Sequence, residues 1–571
     1  MFSITLSCNN SSNQKNIDTQ KAIGSVNYGG VFHINEIDNF RSLVPHKITD
    51  MTSRNIAGQM YEGLVSIDSE TMKVVPSLAE SWEISDDGLT YTFHLTSNVY
   101  FHDDPCFNNG KGRLLNADDI IFSFKELFTK SDQNDLSSPM ADIVLGAKFY
   151  YVTNKENEEE QNNVIGLKWI DNSTISISLI EPYSGFLNLL ATPAGWIYPY
   201  EAVNTYGAEL RLHCVGTGPF VTKKVIDDEI IILARNKNYW KKDSLGNQLP
   251  YLDAIKINFL HDKEVEVSEF VAGNLDMVYN LTREDVNTYN INTDIIEGEY
   301  STGDFIVQIC PSMSIQYYGF QQMSDVFRDV NVRKAFNYAI DRKSIVKNTL
   351  NGIGLAANNG IVPPSIDGYP FSEVKGYKFS KTKAQNYLSK AGYPGGKGFP
   401  RFTLSLNSGG GPTNLMIAEE IQKMLYENLG IYIDLSMTSF SKHYERVEHG
   451  EIDFWRDSWM ADYNDPENFL YLFYGSLVPE DKTDPSIINS TRYNNSDFNK
   501  LYESALYEED PNIQMELYRQ ADQKIIDDAV VIPLYYEKTI RFVQPYVKNF
   551  MANPMELRDF GHVYFDYSNT K

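Results

Sequence analysis

The chain has 571 residues, 42% hydrophobic and 13% aromatic, and its length corresponds to about three to four domain-sized units. This apolar content excludes a mainly disordered chain because it is enough to build large cores. The 50 basic and 76 acidic residues give a net charge of −26, which argues against nucleic acids and anionic lipids as main partners, since both bind clustered positive charge.

The amino terminus is the first informative segment. A short apolar stretch, residues 2–7, ends at Cys8 and is followed by the polar residues 9–15. This order resembles the end of a bacterial lipoprotein signal, although a basic segment is missing and the apolar part is shorter than the usual ~7–15 residues. We expect residues 1–22 to be a signal remnant and tether, with a lipid on Cys8 as the only membrane attachment. A frayed terminus with a chance cysteine is the alternative.

Three further cysteines, Cys106, Cys214 and Cys310, lie far apart in the sequence. They form no Cys-x-x-Cys motif and have no histidine at metal-ligand spacing, so we predict neither a metal site nor a cofactor. Their spacing leaves open which of them, if any, form a disulfide.

Strand and helix patterns alternate in the first part of the chain. Apolar and polar residues alternate over 89–95 and over 174–179, which is the period of a half-buried strand. Between them, residues 116–119 are typical of a helix start. The apolar side of this helix carries Ile120, Ile121, Phe124 and Leu127.

A second region begins near residue 305 and opens with a helix that Asp329 or Asn331 can cap. Its apolar residues lie at helical spacing and form one buried stripe. They are Val332, Phe336, Ala339 and Ile340.

A strand–helix–strand unit follows. It consists of a strand at 402–406, a helix that Gly430 ends, and a strand at 431–437, which predicts a largely parallel sheet. A late buried strand at 530–536 is typical of a chain that returns to its first sheet. The sequence therefore predicts an α/β protein with two lobes, whose ligand site is the cleft between them.

Nine motifs, in order along the chain, resemble the family 5 extracellular solute-binding proteins, the dipeptide, oligopeptide and nickel receptors of ABC importers. They are LVPHKI at 43–48, MYEGL at 60–64, VPSLAESW at 75–82, LTYTFHL at 89–95, GTGPF at 216–220, RNKNYW at 235–240, VNVRKAFNYAIDR at 330–342, AGYPGG at 391–396 and WMADYNDP at 459–466.

The resemblance implies a two-lobed periplasmic-binding-protein-like fold, with an extra subdomain in the first lobe and a hinged cleft between the lobes. The expected division is lobe I at 23–62, 181–304 and 521–571, the extra subdomain at 63–180, and lobe II at 305–520. The implied partners are a peptide ligand and the membrane permease of an ABC-type importer, and the implied receptor is monomeric and extracytoplasmic.

The segment Arg456–Pro466 contains the strongest candidate for a binding residue. Trp459 and Met460 are followed by Asp462, and a carboxylate beside large apolar groups is costly unless a cation binds it. In peptide-binding members of the resembled family, the matching aspartate receives the ligand's α-ammonium group, so we expect this role for Asp462. A helix-capping or loop aspartate is the alternative.

The resemblance also implies cleft residues around this aspartate. Ser458, Trp459 and Met460 match a stretch whose backbone pairs with an extended peptide as an added strand. Arg456 matches a residue that binds the ligand carboxylate in some oligopeptide receptors, or else forms a surface ion pair. Phe440 lies where the family often has a cleft tryptophan.

In lobe I the resemblance implies a second side of the cleft. Thr49, Asp50 and Met51 follow the first motif and would offer main-chain partners to the ligand. Oligopeptide receptors have a carboxylate at the position of Thr49, so the electrostatics of this side stay open.

We therefore expect a receptor that encloses a peptide without chemistry. A receptor of the same fold for an oligosaccharide, a nickel complex or haem is an alternative, but the aspartate favours a ligand with an amine, and the nine histidines show no cluster. A hydrolase or peptidase is the least favoured, because the sequence has no Gly-x-Ser-x-Gly and no His-Glu-x-x-His motif.

Overall fold

The computed structural model describes residues 20–130, 140–154, 163–408 and 412–568, so Cys8 lies outside the described residues. The first elements are β1 (Gln20–Lys21), β2 (Asn27–Tyr28), β3 (Val31–Asn35) and α1 (Met51–Ala57). The predicted extra subdomain, residues 63–180, spans β4 (Val65–Ile67), β5 (Val74–Pro76), β6 (Ala79–Ile84), β7 (Thr90–Leu95), α2 (Ala117–Leu127), α3 (Met140–Ile143), α4 (Ala147–Thr153), β8 (Leu167–Asp171) and β9 (Thr174–Ser178).

The chain then returns to lobe I and continues into lobe II. The lobe I elements are α5 (Phe186–Leu190), α6 (Tyr200–Tyr206), β10 (Phe220–Ile226), β11 (Ile230–Arg235), β12 (Ala254–Asn258), α7 (Lys263–Val271), β13 (Met277–Val278), α8 (Arg283–Thr288) and β14 (Gly298–Ser301). The next elements are β15 (Ile306–Phe320), α9 (Val330–Ala339), α10 (Arg342–Ser344), β16 (Leu355–Ala356), α11 (Lys381–Lys390), β17 (Phe402–Asn407), α12 (Pro412–Leu429), β18 (Ile433–Thr438), α13 (Phe440–Glu448), β19 (Phe454–Met460), α14 (Glu467–Leu470), α15 (Ser496–Leu506), α16 (Pro511–Asp527), β20 (Val531–Val543), β21 (Val547–Lys548) and β22 (Tyr564–Phe565).

Two four-stranded sheets lie in the first half of the described chain. In lobe I the strand order is β10–β11–β12–β3, with β3 parallel to β12 and the other pairs antiparallel. In the extra subdomain the order is β6–β7–β9–β8, and all pairs are antiparallel. Along β7, Tyr91, Phe93 and Leu95 are buried in alternation, which confirms the predicted strand.

The predicted helix starts are confirmed by their capping contacts. Asn116 and Asp119 form a capping box at the start of α2. The side chain of Asn116 accepts a hydrogen bond from the backbone N–H of Asp118, and the side chain of Asp119 accepts one from the backbone N–H of Asn116. Asp329 caps α9 by accepting a hydrogen bond from the backbone N–H of Asn331.

The largest sheet has the order β13–β20–β15–β19–β17–β18, with β14 added to β15 and β16 added to β20. The predicted strand–helix–strand unit is β17–α12–β18, and its two strands are parallel. The prediction of a largely parallel sheet is wrong outside β19–β17–β18. The other strand pairs of this sheet are antiparallel. Among them are β15 and β20, which cross between the lobes in opposite directions and bond to each other.

β15 and β20 belong to both lobes. Residues 306–311 of β15 pair with 538–543 of β20 and pack in lobe I, whereas residues 315–319 pair with 531–536 and pack in lobe II. The pairing is interrupted between Pro311 and Ile315. The division at 305 and 521 stays a prediction, and we propose that the two crossings lie within these strands instead.

The two lobes contact each other. The hydroxyl groups of Tyr183 in lobe I and Tyr463 in lobe II lie 3.5 Å apart. Gln514 of α16 donates a hydrogen bond of 2.9 Å from Nε2 to Oγ of Ser184. These two contacts close the cleft between the lobes next to Tyr183 and Ser184. In the described parts of the chain, no helix is both long and apolar enough to cross a membrane.

A buried ion pair joins the carboxyl-terminal segment to the end of β3. The side chains of Glu36 and Arg558 are each 2% exposed, and Nη1 of Arg558 donates to Oε1 of Glu36. Tyr279 donates a 2.6 Å hydrogen bond to the other oxygen of Glu36. The carboxylate therefore compensates a guanidinium that water cannot reach.

We predict that Glu36→Gln lowers the free energy of unfolding by about 3–5 kcal/mol, because it leaves the charge of Arg558 buried without its partner. Urea denaturation measures this change. The control is Asp434→Asn, which removes the partner of Arg401, a side chain that is 74% exposed, and should cost less than about 1 kcal/mol. Equal effects of the two substitutions would contradict the prediction.

Candidate ligand-binding site

One edge of β19 is open. β19 pairs with β15 over its whole length, but with β17 only at Phe454 and Trp455. From Arg456 onward, no strand among the described residues pairs with that side of β19. Such an edge can bind an extended chain through its backbone N–H and carbonyl groups.

The backbone groups on this open edge can be assigned. Ala461 donates from its N–H to the carbonyl of Met313 at 2.8 Å, so the odd-numbered residues face β15. The carbonyl of Arg456 faces away and accepts a hydrogen bond from His443 Nε2 at 3.1 Å. Ser458 and Met460 therefore have their backbone groups on the open edge, although Asp457 already accepts the N–H of Ser458 at 2.8 Å.

Asp462 follows the end of this edge, and its backbone is fixed by a hydrogen bond to the side-chain amide of Asn468. Oδ1 of Asn468 accepts the backbone N–H of Asp462 at 3.0 Å and the indole N–H of Trp459 at 3.0 Å. Asn468 thereby fixes the loop and the tryptophan ring relative to each other. The sequence analysis missed Asn468, because only the turn of the chain at 463–466 brings it back to β19.

Asp462 and Trp459 line a cavity of about 170 Å³ between the lobes. From lobe I and the extra subdomain the lining residues are Pro45, His46, Ile48, Leu127, Tyr183, Leu189, Thr192, Pro193 and Ala194. From lobe II they are Trp459, Asp462, Tyr463, Glu467, Asn468, Tyr471 and Ile488. The structure therefore places these two predicted residues in an interlobe cavity with aromatic walls.

The carboxylates on the lobe II side are partly desolvated. Asp462 is open to the cleft, yet protein from both lobes surrounds it, and this desolvation raises its pKa, while Arg54 and Asn468 lower it. Burial also raises the pKa of Glu467, whose oxygens accept hydrogen bonds from the hydroxyl groups of Tyr463 and Tyr502. Burial and the neighbouring Glu467 raise the pKa of Asp465 to about 7. This negative environment favours a cation.

Arg54 of α1 faces Asp462 from the opposite lobe. It is half-buried, and desolvation lowers its pKa while Asp462 raises it. The sequence analysis missed this residue as well. The only sequence feature that could have indicated Arg54 is its position one helical turn after the predicted cleft residues Asp50 and Met51.

The other lobe I residues differ from the expectation. The carboxylate of Asp50 caps α1 and accepts hydrogen bonds from the N–H and hydroxyl of Ser53 at 2.8 and 2.7 Å. Thr49 is exposed and Met51 half-buried, and neither lines the interlobe cavity. The preceding residues 45, 46 and 48 line it instead.

Arg456 and Phe440 lie away from this cavity. The guanidinium of Arg456 donates to the amide oxygens of Asn407, at 3.1 Å, and of Gln316, and has no carboxylate at ion-pair distance within the described residues. Phe440 is 50% exposed and packs against Tyr444, with ring centroids 4.6 Å apart. Arg456 thus keeps its charge available, whereas Phe440 has no contact with the cavity wall.

The described residues include no group of three or more histidines, cysteines or carboxylates placed to hold a metal ion. Cys106, Cys214 and Cys310 are free thiols. His46 in the cavity wall bonds to the hydroxyl of Tyr198 at 2.8 Å, and burial lowers its pKa to about 3, so its imidazole is neutral near pH 7.

Two lobes joined by shared strands, a cavity between them and an open strand edge that ends at a carboxylate in this cavity define a two-lobed solute-binding receptor. The model of the bacterial extracellular solute-binding proteins, family 5 middle region, matches residues 73–479. The chain therefore belongs to the family 5 extracellular solute-binding proteins and is an extracytoplasmic binding protein.

Characterised relatives cover nearly the whole chain. Haem-binding protein A of Haemophilus influenzae is 29% identical over 518 residues, 89% of this chain and 88% of the relative. The periplasmic oligopeptide-binding protein OppA of Salmonella typhimurium is 28% identical over 514 residues, 89% of this chain and 87% of the relative.

A solved structure of the periplasmic binding protein DppA from Helicobacter pylori, in complex with the peptide STSA, superposes with a TM-score of 0.76 at 25% identity. The match covers 94% of this chain and 98% of the other. Its two-lobed fold is the fold described above.

Proposed function

We propose that this protein captures peptides with a free α-amino group in the interlobe cleft and delivers them to the permease of an ABC-type importer. The observation that carries the proposal is the position of Asp462, a carboxylate that lines the interlobe cavity at the end of an open strand edge. The names of the Salmonella relative and the Helicobacter structure, which refer to oligopeptides and a bound peptide, support the same ligand class.

In the proposed binding mode the peptide adds a strand to the open edge of β19. The carbonyl groups of Ser458 and Met460 and the N–H of Met460 pair with the peptide backbone, which every peptide carries whatever its sequence. The α-ammonium binds Asp462 through charge-assisted hydrogen bonds. Trp459 forms an apolar wall beside it.

Arg456 lies at the other end of the open edge, four residues before Met460. Its guanidinium bonds only to neutral amide oxygens, so a carboxylate at the end of the peptide gains a full charge partner there. The carboxylate role of Arg456 is therefore retained in the proposal. Thr49, Asp50 and Met51 contribute at most through their main chain, since Asp50 already caps α1.

Closure of the lobes completes the capture. Hinge closure around a ligand is the known behaviour of periplasmic binding proteins, and β15 and β20 provide the connection about which the lobes turn. The ligand binds both lobes only in the closed form and so shifts the population toward it. We propose that the permease recognises this form of a monomeric receptor that carries out no reaction itself.

We predict that protein purified from its native host releases peptides on denaturation, and that mass spectrometry identifies them. Recovery of sugars without peptides would contradict the proposal. Recovery of haem would support the alternative suggested by the name of the Haemophilus relative.

A second prediction concerns the amine. Asp462→Asn should weaken the binding of free-amine peptides at least about tenfold in isothermal titration calorimetry, because the ammonium loses its charge partner. Asp497→Asn, at an exposed position of α15 in the same lobe, is the matched control and should leave the affinity unchanged.

The same titrations should show two further effects. N-acetylated peptides should bind the unmutated protein as weakly as free peptides bind the asparagine variant, and equal binding of acetylated and free peptides would exclude the amine role. Because desolvation raises the pKa of Asp462, affinity should be full above that pKa and fall as the pH drops through it, at a higher pH than for an ordinary aspartate. The asparagine variant should lack this pH dependence.

We also propose that a lipid on Cys8 anchors the receptor to the membrane. Cys8→Ser should move the protein from the membrane fraction to the soluble fraction, because the serine hydroxyl does not replace the thiol as the lipid acceptor. Fractionation and immunoblotting measure this change. Membrane association of the serine variant would contradict lipid anchoring at this residue.

A further inference from the structure

Arg54 lines a second and larger cavity, of about 430 Å³, beside the interlobe cavity. Trp196 forms a wall of this cavity and lies against Gly58, one helical turn after Arg54 in the sequence. A Cβ atom on Gly58 would be 3.3 Å from the indole ring, so the aromatic wall packs directly on this face of the chain.

Neighbouring residues of one segment, 189–196, line the two cavities. Ala191 and Trp196 line the larger cavity, whereas Leu189 and residues 192–194 line the smaller one, which Asp462 also lines. Arg54 and Asp462 thus line different cavities and belong to opposite lobes. Their charges interact, but no nitrogen of the Arg54 guanidinium lies within 4.0 Å of an oxygen of the Asp462 carboxylate, so they do not form an ion pair.

The guanidinium of Arg54 has unused hydrogen-bonding capacity. Within the residues that the structure describes, its side chain makes neither a hydrogen bond nor an ion pair, although it is half-buried. A guanidinium carries five N–H donors in a planar fork, which matches a carboxylate in a bidentate arrangement. A partly desolvated guanidinium without a partner therefore gains more from an incoming anion than an exposed one does.

The other charged groups of the larger cavity are mostly paired. Lys241 forms an ion pair of 3.0 Å with Glu62, and His562 one of 2.6 Å with Asp559. Asp68 accepts hydrogen bonds from the N–H and hydroxyl of Thr71. Arg558 is paired with Glu36. Lys242 is exposed and has no ion pair among the described residues, so Arg54 is the half-buried cation left for a ligand.

The charges near Asp462 add a second argument. Glu467 lines the smaller cavity and accepts hydrogen bonds from two tyrosines, so it does not serve Arg54. When an ammonium group binds Asp462, two cations face one carboxylate, and the ammonium and the guanidinium repel each other. An anionic group on the ligand, placed close to its own ammonium, removes this repulsion.

Resting on the proposed function, we propose that Arg54 receives a carboxylate on the side chain of the ligand's first residue, so that the receptor prefers peptides that begin with glutamate or aspartate. In this arrangement the ammonium binds Asp462 in the smaller cavity. The acidic side chain passes residues 189–196 and reaches Arg54 at the larger cavity. The receptor then reads the peptide backbone along β19 but selects the first side chain by charge.

The test compares two nearly isosteric peptide series that begin with Glu or Gln and continue with two to four alanines. Calorimetry measures both series with the unmutated protein, with Arg54→Met and with Lys242→Met, the matched change of the exposed cation in the same cavity. The unmutated protein and the Lys242 variant should bind the Glu peptides at least about tenfold more tightly. Arg54→Met should remove this preference. It should not weaken the binding of the Gln peptides, because they lose only the repulsion between the guanidinium and their ammonium group. Arg54→Gln is a second variant if the first does not fold.

Equal affinities for the Glu and Gln series in the unmutated protein would overturn the inference and leave the peptide receptor intact. A preference that persists in Arg54→Met would also overturn it, because another group would then bind the side chain. Failure of every peptide to bind the unmutated protein would overturn the proposed function, together with the inference that rests on it.

Discussion

β15 and β20 bond to each other along nearly their whole length, while their two halves are buried in different hydrophobic cores. A buried backbone N–H or carbonyl must keep a hydrogen-bond partner, so the hydrogen bonds between β15 and β20 have to persist in any arrangement of the lobes. The two lobes therefore stay joined through one sheet. The pairing is interrupted between Pro311 and Ile315, where the chain passes from one core to the other. β19, which offers the open edge, is bonded directly to this pair.

The site depends on that arrangement because its opposed charges come from different lobes. Arg54 is placed by the first turns of a lobe I helix and Asp462 by the end of a lobe II strand. Neither group has a direct ionic partner among the described residues, so in the proposed site a ligand supplies the partner of each. In the proposed binding mode both lobes contribute to recognition, because each supplies one of the two charges.

Local features of the fold could be predicted from the sequence. The caps of α2 and α9 use residues within three positions of each helix start, and the parallel unit β17–α12–β18 follows from hydrophobic spacing within about forty residues. Trp459 and Asp462 were predicted for the cleft and lie in the cavity wall. The mixed character of the large sheet could not be predicted in this way, because β15 pairs with β19 and β20 through residues more than 130 positions apart.

The missed site residues have the same cause. Asn468 matters through the turn that brings it under Trp459, and Arg54 matters through the opposite lobe. Neither residue type has a distinctive neighbour pattern. The carboxylate of Asp50, in contrast, has a local role as a helix cap, which its position before Ser53 already allowed.

The core of lobe I combines residues from widely separated parts of the chain. Phe32 packs against Phe550, Phe560 and Phe565, with ring centroids 5.5, 4.8 and 6.1 Å away. This core therefore stays incomplete until residues 550–565 are available, whatever the earlier part of the chain has already formed. Contacts of such sequence separation form slowly because a long loop must close first. The first lobe of this chain therefore cannot be finished before the last strands have been made, however early its first strands are available.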